Sequence, residues 1–157
     1  MWALSIDREK CNGCGICQLA CSIAKKNSAQ PSEARIRINR YWGEFIQAVA
    51  VCQHCAEPAC MTACLMKTIA NKSDGYVSRE PEKCFACGAC MVMCPIEAPV
   101  YDADSKAVVT CDLCGGDPVC VKVCPQQALQ YQETAVYSAA VREKQGFRFY
   151  AWQQKEV

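Results

Sequence analysis

The chain has 157 residues, 16 of them cysteine, and Lys+Arg 17 against Asp+Glu 16 leaves a formal charge of +1. One residue in ten as cysteine marks a scaffold organised by its sulfurs, and near-neutrality offers no basic field for nucleic acid. The length leaves no room for a separate large catalytic domain, and part of the 52 % apolar content is cysteine itself.

Residues 1–6 are apolar and are predicted to start a strand at 2–6, but Asp7, Arg8, Glu9 and Lys10 follow at once. That stretch is too short for a secretory signal, and no Arg-Arg pair marks twin-arginine export. The first cysteine run is Cys11, Cys14, Cys17 and Cys21. Alternation at 35–39 (RIRIN) and the apolar stretch 45–51 predict further short strands. The longest apolar run, 45–52, is far below the ~20 residues that a membrane helix requires. The protein is therefore expected to have no membrane span and to be cytoplasmic, where thiols stay reduced.

The second run is Cys52, Cys55, Cys60 and Cys64, with the single histidine, His54, inside it. His54 is read as a neighbour of that site and not a ligand, because the run already offers four sulfurs. Asp74-Gly75 ahead of Tyr76-Val77 signals a hairpin turn. The third run is Cys84, Cys87, Cys90 and Cys94, a strand is expected at 107–110, and the fourth run is Cys111, Cys114, Cys120 and Cys124. Residues 132–157 contain no cysteine; 133–144 have helix-forming composition, and Phe147, Phe149, Tyr150 and Trp152 follow. That tail is read as a cover for the rest or as a docking arm.

Spacing selects the chemistry. Runs one and three are C-x2-C-x2-C-x3-C, and Pro95 completes the bacterial ferredoxin pattern. Three thiolates three residues apart wrap one cuboidal cluster, while the fourth lies a helical turn further on and faces a neighbouring cluster. Gly13, Gly15 and Gly88 sit inside these loops, and Gly115 and Gly116 in the fourth, where positive φ lets backbone approach inorganic sulfur closely. Runs two and four widen the gap before the third cysteine and place Pro58 and Pro118 two residues ahead of it, a fixed turn into a short helix. Structural zinc ordinarily takes two C-x2-C pairs across a long spacer, which these triplets do not resemble. A disulfide scaffold lacks its export signal.

With Cys-Gln-His-Cys…Pro-Ala-Cys in run two, Cys94-Pro95 and Cys124-Pro125, the sequence resembles the four-cluster ferredoxin-like subunits of molybdenum and tungsten oxidoreductases, formate-linked and carbon-monoxide-linked hydrogenases and dimethyl-sulfoxide-type reductases. The resemblance covers about residues 1–131 and departs at Ser22 and Leu65, where proline could follow a run. It implies an α+β fold of two interleaved bacterial-ferredoxin-like lobes, with small antiparallel sheets and short helices around four [4Fe–4S] clusters. Residues 1–51 and 95–131 would form one lobe, 52–94 an inserted second, and 132–157 a terminal arm. The implied ligand sets are Cys11, Cys14, Cys17 and Cys124; Cys111, Cys114, Cys120 and Cys21; Cys52, Cys55, Cys60 and Cys94; and Cys84, Cys87, Cys90 and Cys64.

The function so implied is non-catalytic: single electrons pass through the clusters between a separate catalytic subunit and a second redox partner such as a flavin subunit or a ferredoxin. A molybdenum or tungsten pterin enzyme acting on aldehyde or formate is the expected catalytic partner, with a hydrogenase or carbon monoxide dehydrogenase as the alternative. A cluster-carrier or maturation protein is the reading from another class, and self-association through the aromatic tail is a further expectation. The sequence itself shows no nucleotide or pterin fingerprint and no Ser-His-Asp set.

Overall fold

The computed structural model describes residues 2–41, 46–72 and 75–133. In sequence order the elements are β1 (Trp2–Ile6), α1 (Ile16–Lys26), β2 (Ile36–Tyr41), β3 (Ile46–Val51), α2 (Ala59–Thr62), β4 (Ile69–Asn71) and β5 (Val77–Arg79). They continue with α3 (Ala89–Val92), β6 (Val100–Asp102), β7 (Ala107–Val109), α4 (Val119–Lys122) and β8 (Leu129–Glu133). The described strands pair as four separate antiparallel ribbons: β1 with β8, β2 with β3, β4 with β5 and β6 with β7. This is the expected α+β ferredoxin-like arrangement of small sheets and short helices.

A two-stranded ribbon is marginal in water by itself, so each must lean on something else. Here it leans on sulfur. The larger core packs Leu4, Ala34, Ile36, Val51, Leu113 and Leu129 around Cys17, Cys21, Cys52, Cys111 and Cys120. A smaller one packs Ile69, Val77 and Val108 around Cys90. Thiols thus occupy positions that aliphatic side chains hold in an ordinary domain.

α1 carries the last two cysteines of its run, and α2, α3 and α4 each carry the third cysteine of theirs, Cys60, Cys90 and Cys120. α1 begins after Gly15, which stands at φ +83°, and ends at Asn27, φ +52°, whose N–H donates to the Ile23 carbonyl. Lys25 and Lys26 in its last turn suit the negative end of the helix dipole. Cys17 and Cys21, four residues apart, share its buried face. α2 and α4 start directly after Pro58 and Pro118, both extended, as the proline spacing predicts. α1 packs on α4, and α2 on α3.

Several elements differ from the sequence expectation. The strand read at 35–39 runs over Ile36–Tyr41, because Arg35 turns its N–H to a cysteine sulfur instead of joining the ladder. The sequence pattern does not predict β4, β6 or β8; the first two are three residues long, too short for alternation to show. Residues 132 and 133, expected to open the tail, belong to β8, where Gln132 pairs with Ala3 and Glu133 with Trp2. The rest of the expected terminal helix and the four aromatics lie outside the described residues.

Candidate iron–sulfur sites

The sixteen thiols, none in a disulfide, gather in four quartets. Site one is a small, partly open cavity lined by Cys11, Cys14, Cys17 and Cys124 together with Gly15, Ile38 and Leu129. Burial pushes the Cys17 thiol up to about 11, and Cys11, Cys14 and Cys124 press in the same direction. The Arg40 guanidinium donates twice to the Gly13 carbonyl, at 3.2 and 2.6 Å, and so pins the loop of run one.

Site four gathers Cys21, Cys111, Cys114 and Cys120. Burial drives both Cys111 and Cys120 up to about 12, with Cys21 adding to each. The Arg35 N–H donates to Cys21 Sγ at 3.3 Å, and the Leu113 N–H to Cys111 Sγ at 3.4 Å. The loop turns through left-handed Leu113, Cys114 and Gly115, held by the Asp112 carboxylate, which accepts from the Cys114 N–H at 3.1 Å. Lys25 and Arg35 converge on that same carboxylate at 2.8 and 2.7 Å.

Site two gathers Cys52, Cys55, Cys60 and Cys94. Burial raises Cys52 to about 11 with Cys60 and Cys55 contributing, and Cys60 feels Cys94 and Cys55 in turn. The Ala98 N–H donates to Cys94 Sγ at 3.4 Å. His54, 1 % exposed, lies against this site; its Nδ1 accepts from the Val77 N–H at 3.2 Å, and its ring stacks on Tyr76 at 4.9 Å.

Site three is a second small, partly open cavity, lined by Cys64, Cys84, Cys87 and Cys90 with Thr68 and Arg79. Cys84 Sγ accepts from the N–H groups of Ala86 at 3.4 Å and Val108 at 3.5 Å. At Cys64 burial works upward, but hydrogen bonds from Thr68 and the following backbone outweigh it and lower the thiol. The Arg79 guanidinium donates to Cys90 Sγ at 3.3 Å.

Neighbouring quartets share cores: the larger one contains sulfurs of sites one, four and two, and the smaller one joins Cys60 of site two to Cys64, Cys84 and Cys90 of site three.

These donor sets fit a polynuclear group better than one ion. Among the described residues no three His, Cys, Asp or Glu side chains converge closely enough to hold a single metal ion. Donors converge on the sulfurs instead: five backbone N–H groups and one guanidinium reach Sγ atoms at 3.3 to 3.5 Å, as hydrogen bonds to cluster-ligating thiolates do. Arg79 Nη2 is buried without a hydrogen-bond partner, an orphaned cationic group that calls for an anion beside it. Spacing identifies the cysteines. Nothing in it marks Arg35, Arg79 or Asp112, whose roles arise from long-range folding.

A 4Fe-4S dicluster domain matches residues 44–134. The protein belongs to this family. A 4Fe-4S binding domain also matches residues 2–22, so the dicluster protein carries multiple [4Fe–4S] clusters. It is 36 % identical to the aliphatic sulfonate oxidoreductase polyferredoxin-like subunit of Pyrococcus furiosus over 79 % of this chain and 71 % of that one. It is 33 % identical to a subunit of the anaerobic dimethyl sulfoxide reductase of Haemophilus influenzae, over 80 % of this sequence and 70 % of that subunit. Among solved structures, the active-site complex BamBC of benzoyl coenzyme A reductase with zinc matches at TM-score 0.50 and 27 % identity, covering 95 % of this chain and 91 % of the other. The dicluster protein is an iron–sulfur electron-transfer subunit. Among the described residues no helix is long and apolar enough to cross a membrane.

Proposed function

We propose that the sixteen cysteines hold four [4Fe–4S] clusters, one per quartet, and that the subunit itself is non-catalytic. It passes single electrons along them between a separate catalytic subunit, of the molybdenum or tungsten pterin class, and a second redox partner. The observation that carries this reading is the exchange of terminal cysteines: each quartet combines three sulfurs of one run with the last sulfur of another. When bound, each cluster supplies a site that gains or loses one electron. The protein's part is to grip, bury and tune. The raised affinity of Cys111 and Cys120 for protons means that these thiols must release them on loading, so assembly is coupled to proton release.

The two lobes follow from the same pattern. Runs one and four make one lobe, closed by β1 pairing with β8; runs two and three make the inserted one. The β6–β7 hairpin is best counted with the inserted lobe, since Val108 packs on Ile69, Val77 and Cys90 and bonds Cys84. Sixteen unbridged thiols fit a reducing, cytoplasmic setting.

Anaerobic iron and sulfide analysis tests the reading. About 16 of each per chain is expected from four cuboidal clusters, with reduction by dithionite and re-oxidation by a low-potential acceptor. Cluster loss to a mild chelator, with no such transfer, would instead mark a cluster carrier.

A further inference from the structure

The cations around the described sites are placed unequally. Arg35 and Lys25 are both committed to the Asp112 carboxylate. Arg40 is committed to the Gly13 carbonyl. Arg79 is different: its guanidinium donates directly to a cysteine sulfur, and among the described residues no carboxylate pairs with it. Its Nη1 donates to Cys90 Sγ at 3.3 Å and its Nε to Thr110 Oγ1 at 3.2 Å, while Nη2 is buried without a partner. The side chain is half-buried and lines the cavity of site three.

We propose that Arg79 is a positioning residue for electron transfer, a guanidinium at site three that raises the reduction potential of the cluster held there. The inference rests on the cluster assignment above. A half-buried cation without a counterion is costly, and an all-cysteine cluster with net negative charge supplies the missing partner. Each added electron makes that partner more negative, so a fixed positive charge favours the reduced form. A donor to a ligating sulfur acts in the same direction. In the other lobe the Arg35, Lys25 and Arg40 side chains donate to a carboxylate and a carbonyl, and none of them donates to a cysteine sulfur.

Potentiometric titration of the iron-loaded protein, followed by electron paramagnetic resonance, tests this with Arg79→Gln and Arg79→Lys. Removing the charge in R79Q is expected to disfavour reduction at least tenfold at the cluster of site three, about 59 mV for a one-electron step. The two clusters of the other lobe act as internal controls and stay within about twofold. R79K keeps the charge and retains most of the wild-type value. If R79Q loads less iron, Thr110→Ala, which frees Nε and loosens the guanidinium from Cys90, is expected to move the same signals in the same direction by less. Unchanged potentials in fully loaded variants overturn the role of Arg79 while leaving the cluster assignment intact. Loss of inserted-lobe iron from all three variants makes Arg79 structural and overturns it too. Wild-type protein with fewer than four distinct signals and a low iron count counts against the assignment itself.

Discussion

His54 illustrates how a residue beside a ligand run serves the run without binding. Nearly fully buried, at φ +47°, it stacks on Tyr76 and gives the Val77 N–H its acceptor. It thereby ties the loop of run two to β5. His54→Leu keeps the bulk and removes the acceptor, and an unpaired buried N–H costs about 1–3 kcal/mol; the denaturant midpoint of iron-loaded protein, followed by visible absorbance, is expected to fall accordingly. Asp112 carries a pH signature. Burial alone would raise its carboxyl, but the Lys25 hydrogen bond and the Arg35 charge outweigh it and hold the pKa below the ordinary 3.8. A carboxylate lowered in the folded state stabilises above its unfolded pKa and loses that contribution as pH falls through the lowered value. Asp112→Asn, which can still accept from Cys114, is therefore expected to lose about 1 kcal/mol at neutral pH, given the partial exposure of the pair. The wild-type advantage should shrink below about pH 4. Denaturation midpoints of the two proteins across pH 3 to 7 provide the comparison.

At the scale of elements, α1 depends on one backbone position. Gly15 lies in the left-handed region, and a Cβ there would stand 3.2 Å from Arg40 Nη2, the group that holds the Gly13 carbonyl. Gly15→Ala meets both the left-handed penalty of roughly 1–2 kcal/mol and displacement of that clamp. Iron retention at site one, read as the fraction of clusters surviving a chelator, is expected to drop while the other sites hold. The same element shows what is legible in the sequence. Cysteine spacing, Gly15 and the two prolines carry short-range geometric demands, so β1, α1 and the starts of α2 and α4 can be read from the residues alone. The Asp74-Gly75 signal likewise locates the β4–β5 turn, where the Gly75 N–H donates to the Lys72 carbonyl at φ +80°; Asp74 itself lies outside the described residues. Of the three-residue strands β7 is legible in its apolar run, but β4 and β6 are not, because so short a stretch shows no alternation. Arg79 and Asp112 escape a sequence reading for a different reason: Arg79 meets Thr110 across 31 positions and Asp112 meets Arg35 across 77, and no local pattern encodes either meeting.

At the scale of the molecule, electrostatics are dominated by what the thiols hold. The four proposed clusters, at about −2 each in the oxidised state, would turn the formal +1 into a holoprotein near −7. Such a surface favours basic docking patches on its redox partners. The rate of electron exchange with a basic acceptor is expected to fall steadily as ionic strength rises and the Debye length shrinks, in stopped-flow mixing with dithionite-reduced protein; a salt-independent rate would contradict this. With sites one, four and two sharing the larger core and sites two and three the smaller, the proposed clusters would stand in the order one, four, two, three. An anaerobic crystal structure phased on iron anomalous scattering tests the central claim most directly. The account predicts four compact iron peaks in that order, with Cys124 on the cluster of run one and Cys21 on that of run four. Fewer peaks, single-ion sites, or each run closing on its own four sulfurs would contradict it.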